Sequence, residues 1–184
     1  MISDSQLCQA IDVIKSGGII AYPTESVFGL GCDPFNEKAV KKLLLLKQRS
    51  VEKGLILIAS HIQQILPLIQ PKDANDLARA LKSWPGHNTW VFPKSKLVPS
   101  WISGEYNSIA IRLTKHPTVL QLCNRFNLPL VSTSANLSNQ LDLNSIKDIK
   151  AAFGDKIQFY IDAPTGNNKK PSTIRDAHTL KTIR

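Results

Sequence analysis

Ser132, Ser134 and Asn136 stand two apart in "LVSTSANLS" (130–138). On an extended chain that spacing turns all three side chains to one side. Two hydroxyls and an amide in a row form a ladder of donors and acceptors suited to carboxylate, amine or phosphate oxygens. A simple turn explains the same composition, because Ser and Asn bond their own backbone. Lys47 and Arg49 are likewise two apart, in "KQRSVEKG" (47–54). If the preceding helix ends near Leu46 and the chain then extends, the two cations share a face. Together they can neutralise a triphosphate, Arg through a bidentate fork and Lys as a point charge. Cations that complement a helix dipole are the alternative. In "SIAIRLTKHP" (108–117), Ser108, Ala110 and Arg112 alternate with Ile109 and Ile111. An Arg set in an apolar strand serves an anion or an ion pair. "AYPTESVFGLGCD" (21–33) presents Thr24 and Glu25 after Pro23, with Gly29 and Gly31 permitting close backbone approach.

These segments need a scaffold, and apolar periodicity predicts one. Leu7, Ala10, Ile11 and Ile14 have helical spacing, and Gly17-Gly18 ends that helix. "IIAY" (19–22) is a short buried strand stopped by Pro23, and Asn36 caps a helix carrying Val40, Leu43, Leu44 and Leu46. "LILIA" (55–59) is a strand, and Leu77, Ala80, Leu81 and Trp84 mark another helix. "NTWVF" (88–92) and "SIAIRL" (108–113) are strands on either side of a long polar connection. "HPTVLQLCNRF" (116–126) is a helix with Pro117 in its first turn, and "LPLVS" (128–132) a strand. Ser145 and Asp148 make a capping box before Ile149 and Phe153; "IQFYI" (157–161) and "STIRD" (172–176) close the chain. Strands alternating with helices predict an α/β fold: a twisted sheet of mixed strand direction with helices packed on it. Ligands in such folds sit where loops leave strand ends. Without a repeat, a low-complexity tract or a linker, residues 1–184 read as one domain.

Composition narrows the function. The chain has 184 residues, 42% hydrophobic and 20% charged, which suits a single buried core. No apolar run approaches the roughly 20 residues of a membrane span. The start "MISDSQLCQA" has no basic and apolar export pattern. Cys8, Cys32 and Cys123 form no CxxC pair, which argues against a disulfide framework or structural zinc and for a reducing, cytoplasmic setting. His61, His116 and His178 share no metal-ligand spacing, so no protein-bound metal is expected. A net charge of +9 draws polyanions, whether nucleotide phosphates or RNA. That excess concentrates locally in Lys38, Lys41, Lys42, Lys47, Arg49 and Lys53.

Taken together, "AYPTESVFGLGCD", "LKQR", "SIAIRLTKHP", "LVSTSANLS" and "PSTIRD" carry a resemblance. Their order and spacing resemble the YrdC-type threonylcarbamoyl-AMP synthases in their short form, from about residue 10 to the end. The resemblance implies a twisted α/β sheet around a large, positively charged concave cavity. It implies synthesis of threonylcarbamoyl-AMP and pyrophosphate from L-threonine, bicarbonate or CO₂, and ATP with Mg²⁺. Downstream enzymes would then pass the threonylcarbamoyl group to N6 of adenosine 37 in tRNA. Lys47, Arg49, Ser134 and Asn136 match the family's functional tetrad, and Thr24, Ser132, Ser172 and Arg112 its threonine side. Lys47, Arg49, Ser108, Ser134 and Arg184 match positions at the nucleotide.

The chain departs from the family pattern in places. His87 in "SWPGHNTW" and Ser50 after Arg49 stand where prolines are usual, and "LSNQLD" lacks a glycine common after the SAN motif. An alternative function for the same basic concavity is binding double-stranded RNA, as in ribosomal RNA maturation. The chain carries neither the aromatic pattern nor the GxxG loop of common RNA modules.

Overall fold

The helices begin where the chain supplies caps. Helix α1 (Asp4–Lys15) opens on a capping box of Ser3 with Gln6, and Gly17 follows its end at φ 79°. In α2 (Glu37–Lys47), the Asn36 side chain accepts from the Ala39 amide at 3.1 Å. Asp73 caps α3 (Ala74–Leu81), and Pro117 opens α5 (Pro117–Phe126). Ser145 caps α6 (Ile146–Phe153). The single turn α4 (Ser100–Ser103) interrupts the long polar connection expected between "NTWVF" and "SIAIRL". The computed structural model describes residues 2–136, 143, 145–168 and 170–184. "LSNQLD" (137–142) lies outside these residues.

Eight strands form one sheet: β1 (Ile20–Pro23), β2 (Phe28–Gly31), β3 (Ile56–Ala59), β4 (Asn88–Pro93), β5 (Ser108–Leu113), β6 (Leu130–Ser134), β7 (Phe159–Tyr160) and β8 (Thr173–Asp176). Their order is β7-β1-β2-β6-β3-β5-β4-β8. The pairs β1/β7, β3/β5 and β4/β8 are parallel and the others antiparallel, so this is the mixed α/β sheet expected. Strand β2, which lies within the polar segment "AYPTESVFGLGCD", is the return arm of a hairpin with β1. Its alternation is hidden because Phe28 and Leu30 face one core while glycines face the other way. A Cβ on Gly31 would lie 2.4 Å from the Val131 carbonyl oxygen and 2.8 Å from the Tyr22 ring.

Helices cover one sheet face more fully than the other. On the first, Val40, Leu43, Ile102, Ile149 and Phe153 bury Leu30, Leu57, Ile111 and Val131. On the second, α1 and α5 lay Ile11, Ile14, Val119 and Leu122 over Ile20, Tyr22, Ile58 and Leu130. Farther along the same strands, register sets Ile56 between Ser132 and Ala110, and Ser134 opposite Gly29. Those positions are half-buried or line a cleft rather than a helix.

Candidate active site

The open part of the second face holds two adjoining clefts. The first, about 160 Å³, is rich in hydroxyls: Thr24, Thr89, Ser132, Thr133, Ser134 and Ser172 stand in its wall with Arg112, beside the apolar Val27 and Phe28. The second, about 260 Å³, is largely apolar and is lined by Val91, Ile102, Ile109, Ala110 and Ile174 with Ser108. Arg49, Leu55, Ile56 and Arg184 line both. A polar chamber and an apolar one, joined at two guanidiniums, suit a ligand with a small polar head, an anionic middle and a flat apolar end.

Helix α2 ends differently from the simple extension considered for Lys47 and Arg49. Gln48 adopts the left-handed conformation at φ 50°, and the Arg49 amide returns to the Leu44 carbonyl. The two cations therefore diverge. Lys47 is 3% exposed, and its ammonium donates to the carbonyls of Ser134 and Asn136 and to Asn136 Oδ1. It thus fixes the end of β6 from behind, as a compact charge with several donors can. Ser134 Oγ donates to the same Asn136 Oδ1 at 2.8 Å. The expected ladder is therefore partly closed on itself: Ser132 and Ser134 reach the cleft, while Asn136 ties Ser134 to Lys47.

Arg49 points the other way. Its Nη2 donates to the Gly54 carbonyl at 2.8 Å, and its buried Nε has no partner among the described residues. Burial, and after it the nearby charge of Arg184, lower the pKa of Arg49. Arg stays protonated regardless, so two like charges are held together around space that an anion would occupy. Arg184 is held by main-chain bonds, its carbonyl accepting from the Ile174 amide at 2.8 Å.

Arg112 is a different kind of cation. It is 7% exposed, and its Nη2 lies 2.7 Å from Glu25 Oε2. Glu25 Oε1 accepts from Thr114 Oγ1 at 2.7 Å and from the Lys115 amide at 2.9 Å. Burial pushes the Glu25 carboxyl up, but Arg112, Thr114 and Lys115 outweigh it and hold the group below the ordinary carboxylate range. A buried pair of this kind is close to neutral as a unit, so Arg112 offers directed donors more than net positive charge.

The remaining hydroxyls have local duties too. Thr24 Oγ1 donates to the Val27 carbonyl at 2.7 Å, closing the β1–β2 turn. Thr89 and Ser172 share a 2.8 Å hydrogen bond across the first cleft's wall. Thr89 was missed in the sequence. Its signal was present, since it alternates with Trp90 and lies two before Val91, a polar residue set into an apolar strand. The Glu25–Arg112 partnership had no local signal, because 87 positions separate the two residues.

Other chemistry is constrained. Cys32 and Cys123 are buried, and burial raises both thiols, Cys123 to about 12, so neither is a ready nucleophile. Asp73, Asp76 and His178 cluster at metal-ligand distances. Asp76, however, already accepts from Arg79, His178 and the Lys72 and Asp73 amides, a network that ties the C-terminal turn to α3. Among the described residues, no helix is long and apolar enough to cross a membrane.

Known proteins resemble this chain in sequence and fold. A threonylcarbamoyl-AMP synthase from Coxiella burnetii (strain RSA 493 / Nine Mile phase I) is 48% identical over 175 residues, covering 95% of this chain and 94% of the relative. One from Pseudoalteromonas translucida (strain TAC 125) is 48% identical over 188 residues, covering all of both chains. The structure of P. abyssi Sua5 complexed with L-threonine superposes with a TM-score of 0.91 at 30% identity. That match covers 99% of this chain and 54% of the P. abyssi protein, so the chain spans about half of that longer relative. The Sua5/YciO/YrdC family model, described as "Telomere recombination", matches residues 12–184, and this chain belongs to that family.

Proposed function

We propose that this chain is a threonylcarbamoyl-AMP synthase, a nucleotidyltransferase acting in the cytoplasm. Its substrates are L-threonine, bicarbonate or CO₂, and ATP carrying Mg²⁺. The product would serve downstream enzymes that build N6-threonylcarbamoyladenosine at position 37 of tRNA. Two full-length relatives at 48% identity bear the synthase name, and a structural neighbour was solved with L-threonine. The observation that carries the reading is the pair of guanidiniums, Arg49 and Arg184, at the join of a polar and an apolar cleft.

Threonine sits in the polar cleft, its carboxylate and hydroxyl met by Thr24, Ser132, Ser172 and the donors of Arg112. The adenine lies against Ile109, Ala110 and Ile174 near Ser108. The triphosphate crosses between Arg49 and Arg184, close to Ser134. The threonine amine adds to CO₂ to give a carbamate and releases a proton. A carbamate oxygen then forms a bond to the α-phosphorus of ATP while the bond to pyrophosphate breaks.

Two anions must meet in that step, and their repulsion is the barrier. Fixed guanidiniums lower it without reorganising, and holding the partners in adjoining clefts lowers the entropic cost of bringing them together. No covalent enzyme intermediate is needed. Lys47 and Asn136 act by holding Ser134 in place.

The test is pyrophosphate release from ATP and Mg²⁺, with threonine and bicarbonate each omitted in turn. Release should require both and should fall in Lys47→Ala and Ser134→Ala. Folded protein that releases no threonine-dependent pyrophosphate, yet binds double-stranded RNA with a steep salt dependence, would replace this reading with RNA binding.

A further inference from the structure

His87 stands just before β4, two residues from Thr89, and is half-buried. Its Nε2 lies 2.7 Å from the Lys170 carbonyl, which can only accept, so Nε2 carries the proton. The ring's other nitrogen, Nδ1, is then an acceptor. It faces Arg112 Nη1 at 3.5 Å, the outer limit of a hydrogen bond but a favourable orientation for a guanidinium N–H. The ring therefore touches two walls of the polar cleft at once, the segment that delivers Ser172 and the strand that delivers Arg112.

The segment on the way to Thr173, residues 161–168 and 170–172, carries no helix or strand. Side chains and loop carbonyls hold it instead. Its Gly166 and Asn168 amides donate to the Thr24 and Glu25 carbonyls at 2.8 and 3.0 Å. His116 meets its Pro164 carbonyl at 3.1 Å. Toward Ser172, where Pro171 has no amide to donate, His87 holds the Lys170 carbonyl, Thr89 holds the Ser172 hydroxyl, and the Arg184 guanidinium reaches the Ser172 carbonyl at a longer 3.4 Å. His87 also lines, with Glu25, Lys115 and Gly166, a further open cleft of about 380 Å³.

We propose that His87 is a positioning residue that couples the Lys170–Ser172 segment to Arg112 and so sets the shape of the threonine side of the cleft. The inference rests on the synthase reading for its substrate, but the link itself is a property of the free protein. Glu25 holds one side of the Arg112 guanidinium firmly; His87 orients the other edge. A group acting this way affects the binding of the polar substrate more than the later bond-making at phosphorus.

Three measurements on His87→Phe and His87→Gln test this. In amide hydrogen exchange on the free protein, His87→Phe should speed exchange in the 166–172 segment while β3 and β6 keep their protection. The KM for L-threonine should rise about tenfold in His87→Phe, as loss of one or two hydrogen bonds implies, with kcat and the KM for ATP within about twofold. His87→Gln, which restores a donor toward Lys170, should recover most of the change in both assays. An unchanged segment and an unchanged threonine KM in folded His87→Phe overturn the proposal. An equal fall in kcat and kcat/KM, or a failure of His87→Gln to recover either signal, also overturns it. If the parent protein neither binds nor turns over L-threonine, the synthase reading fails. The exchange measurement then still decides whether His87 holds the segment.

Discussion

Two halves of one sheet face share strands, twist and side-chain direction, yet carry different residues. In the half beneath α1 and α5, β6 presents Leu130 and β3 presents Ile58, both fully buried. Two positions along β6, the same face presents Ser132 and then Ser134 to the cleft, with Ile56 on β3 beside them. The period of two is unbroken, and only the cover changes. A β-strand has no means of its own to become a site. It becomes one where the layer above stops and the next outward position is allowed to be polar. Leu130 and Ser132 are thus one structural position read under two covers.

The comparison can be broken most forcefully by exchanging the residue types. Leu130→Ser puts a cleft residue under the helices, losing apolar burial and leaving a hydroxyl among Ile20, Ile58 and Leu122. It should destabilise the protein by about 3–5 kcal/mol in urea unfolding, while the folded fraction keeps its activity. A cost below about 1 kcal/mol would mean that the covered half is not the packed one.

The opposite exchange is Arg49→Ala, which strips the open half of a cation that has a charged neighbour and whose Nε has no partner among the described residues. Activity should fall on the order of 100-fold, the scale of removing a group that meets developing charge. The urea midpoint should change little or rise. Arg49→Lys should recover only part, because an ammonium lacks the planar fork.

Gly31→Ala sharpens the boundary between the halves. The new Cβ would press on the Val131 carbonyl oxygen, which is backbone and has little freedom to move. The expected cost is about 1–3 kcal/mol, with activity of the folded fraction near that of the parent.

The smallest effect is a pH dependence of stability. Burial, the leading influence, lowers the pKa of His116, so the folded state keeps the ring neutral where the unfolded chain would protonate it. Below roughly pH 6.5 the unfolded state gains that proton first, so stability should decline as pH falls from there. Glu25, held below the ordinary range, adds a further loss as pH drops below about 4.3 and through its folded value. Urea unfolding at several pH values should show a slope between pH 7 and 5 that flattens in His116→Gln.

The scaffold was legible where signals are local. Ser145, Asn36 and Gly17 announce helix ends through their own side chains or backbone freedom, and each does so in the structure. Alternation in "SIAIRL" correctly set Arg112, which lines the first cleft, apart from the core residue Ile111, whereas Ile109 lines the second cleft beside Ser108. The hidden features depend on the chain's three-dimensional path. Gln48 takes a conformation usually left to Gly or Asn, so nothing in "KQR" foretold that Lys47 and Arg49 would separate. Glu25 appeared only as a polar turn residue, because its partner Arg112 is brought to it by the sheet. In β2, glycines took the place of the apolar residues that mark a strand, and their reason is the Tyr22 ring, seen only in the fold.

The most direct test of the account is to identify the product made in the open half. The protein would be incubated with ATP, Mg²⁺, L-threonine and ¹³C-bicarbonate, and the adenylate analysed by mass spectrometry, with Arg49→Ala in parallel. The account predicts a threonylcarbamoyl-adenylate that carries the label, is absent without threonine, and is strongly reduced in Arg49→Ala. No labelled adenylate from the folded parent, or an undiminished yield from Arg49→Ala, would contradict it.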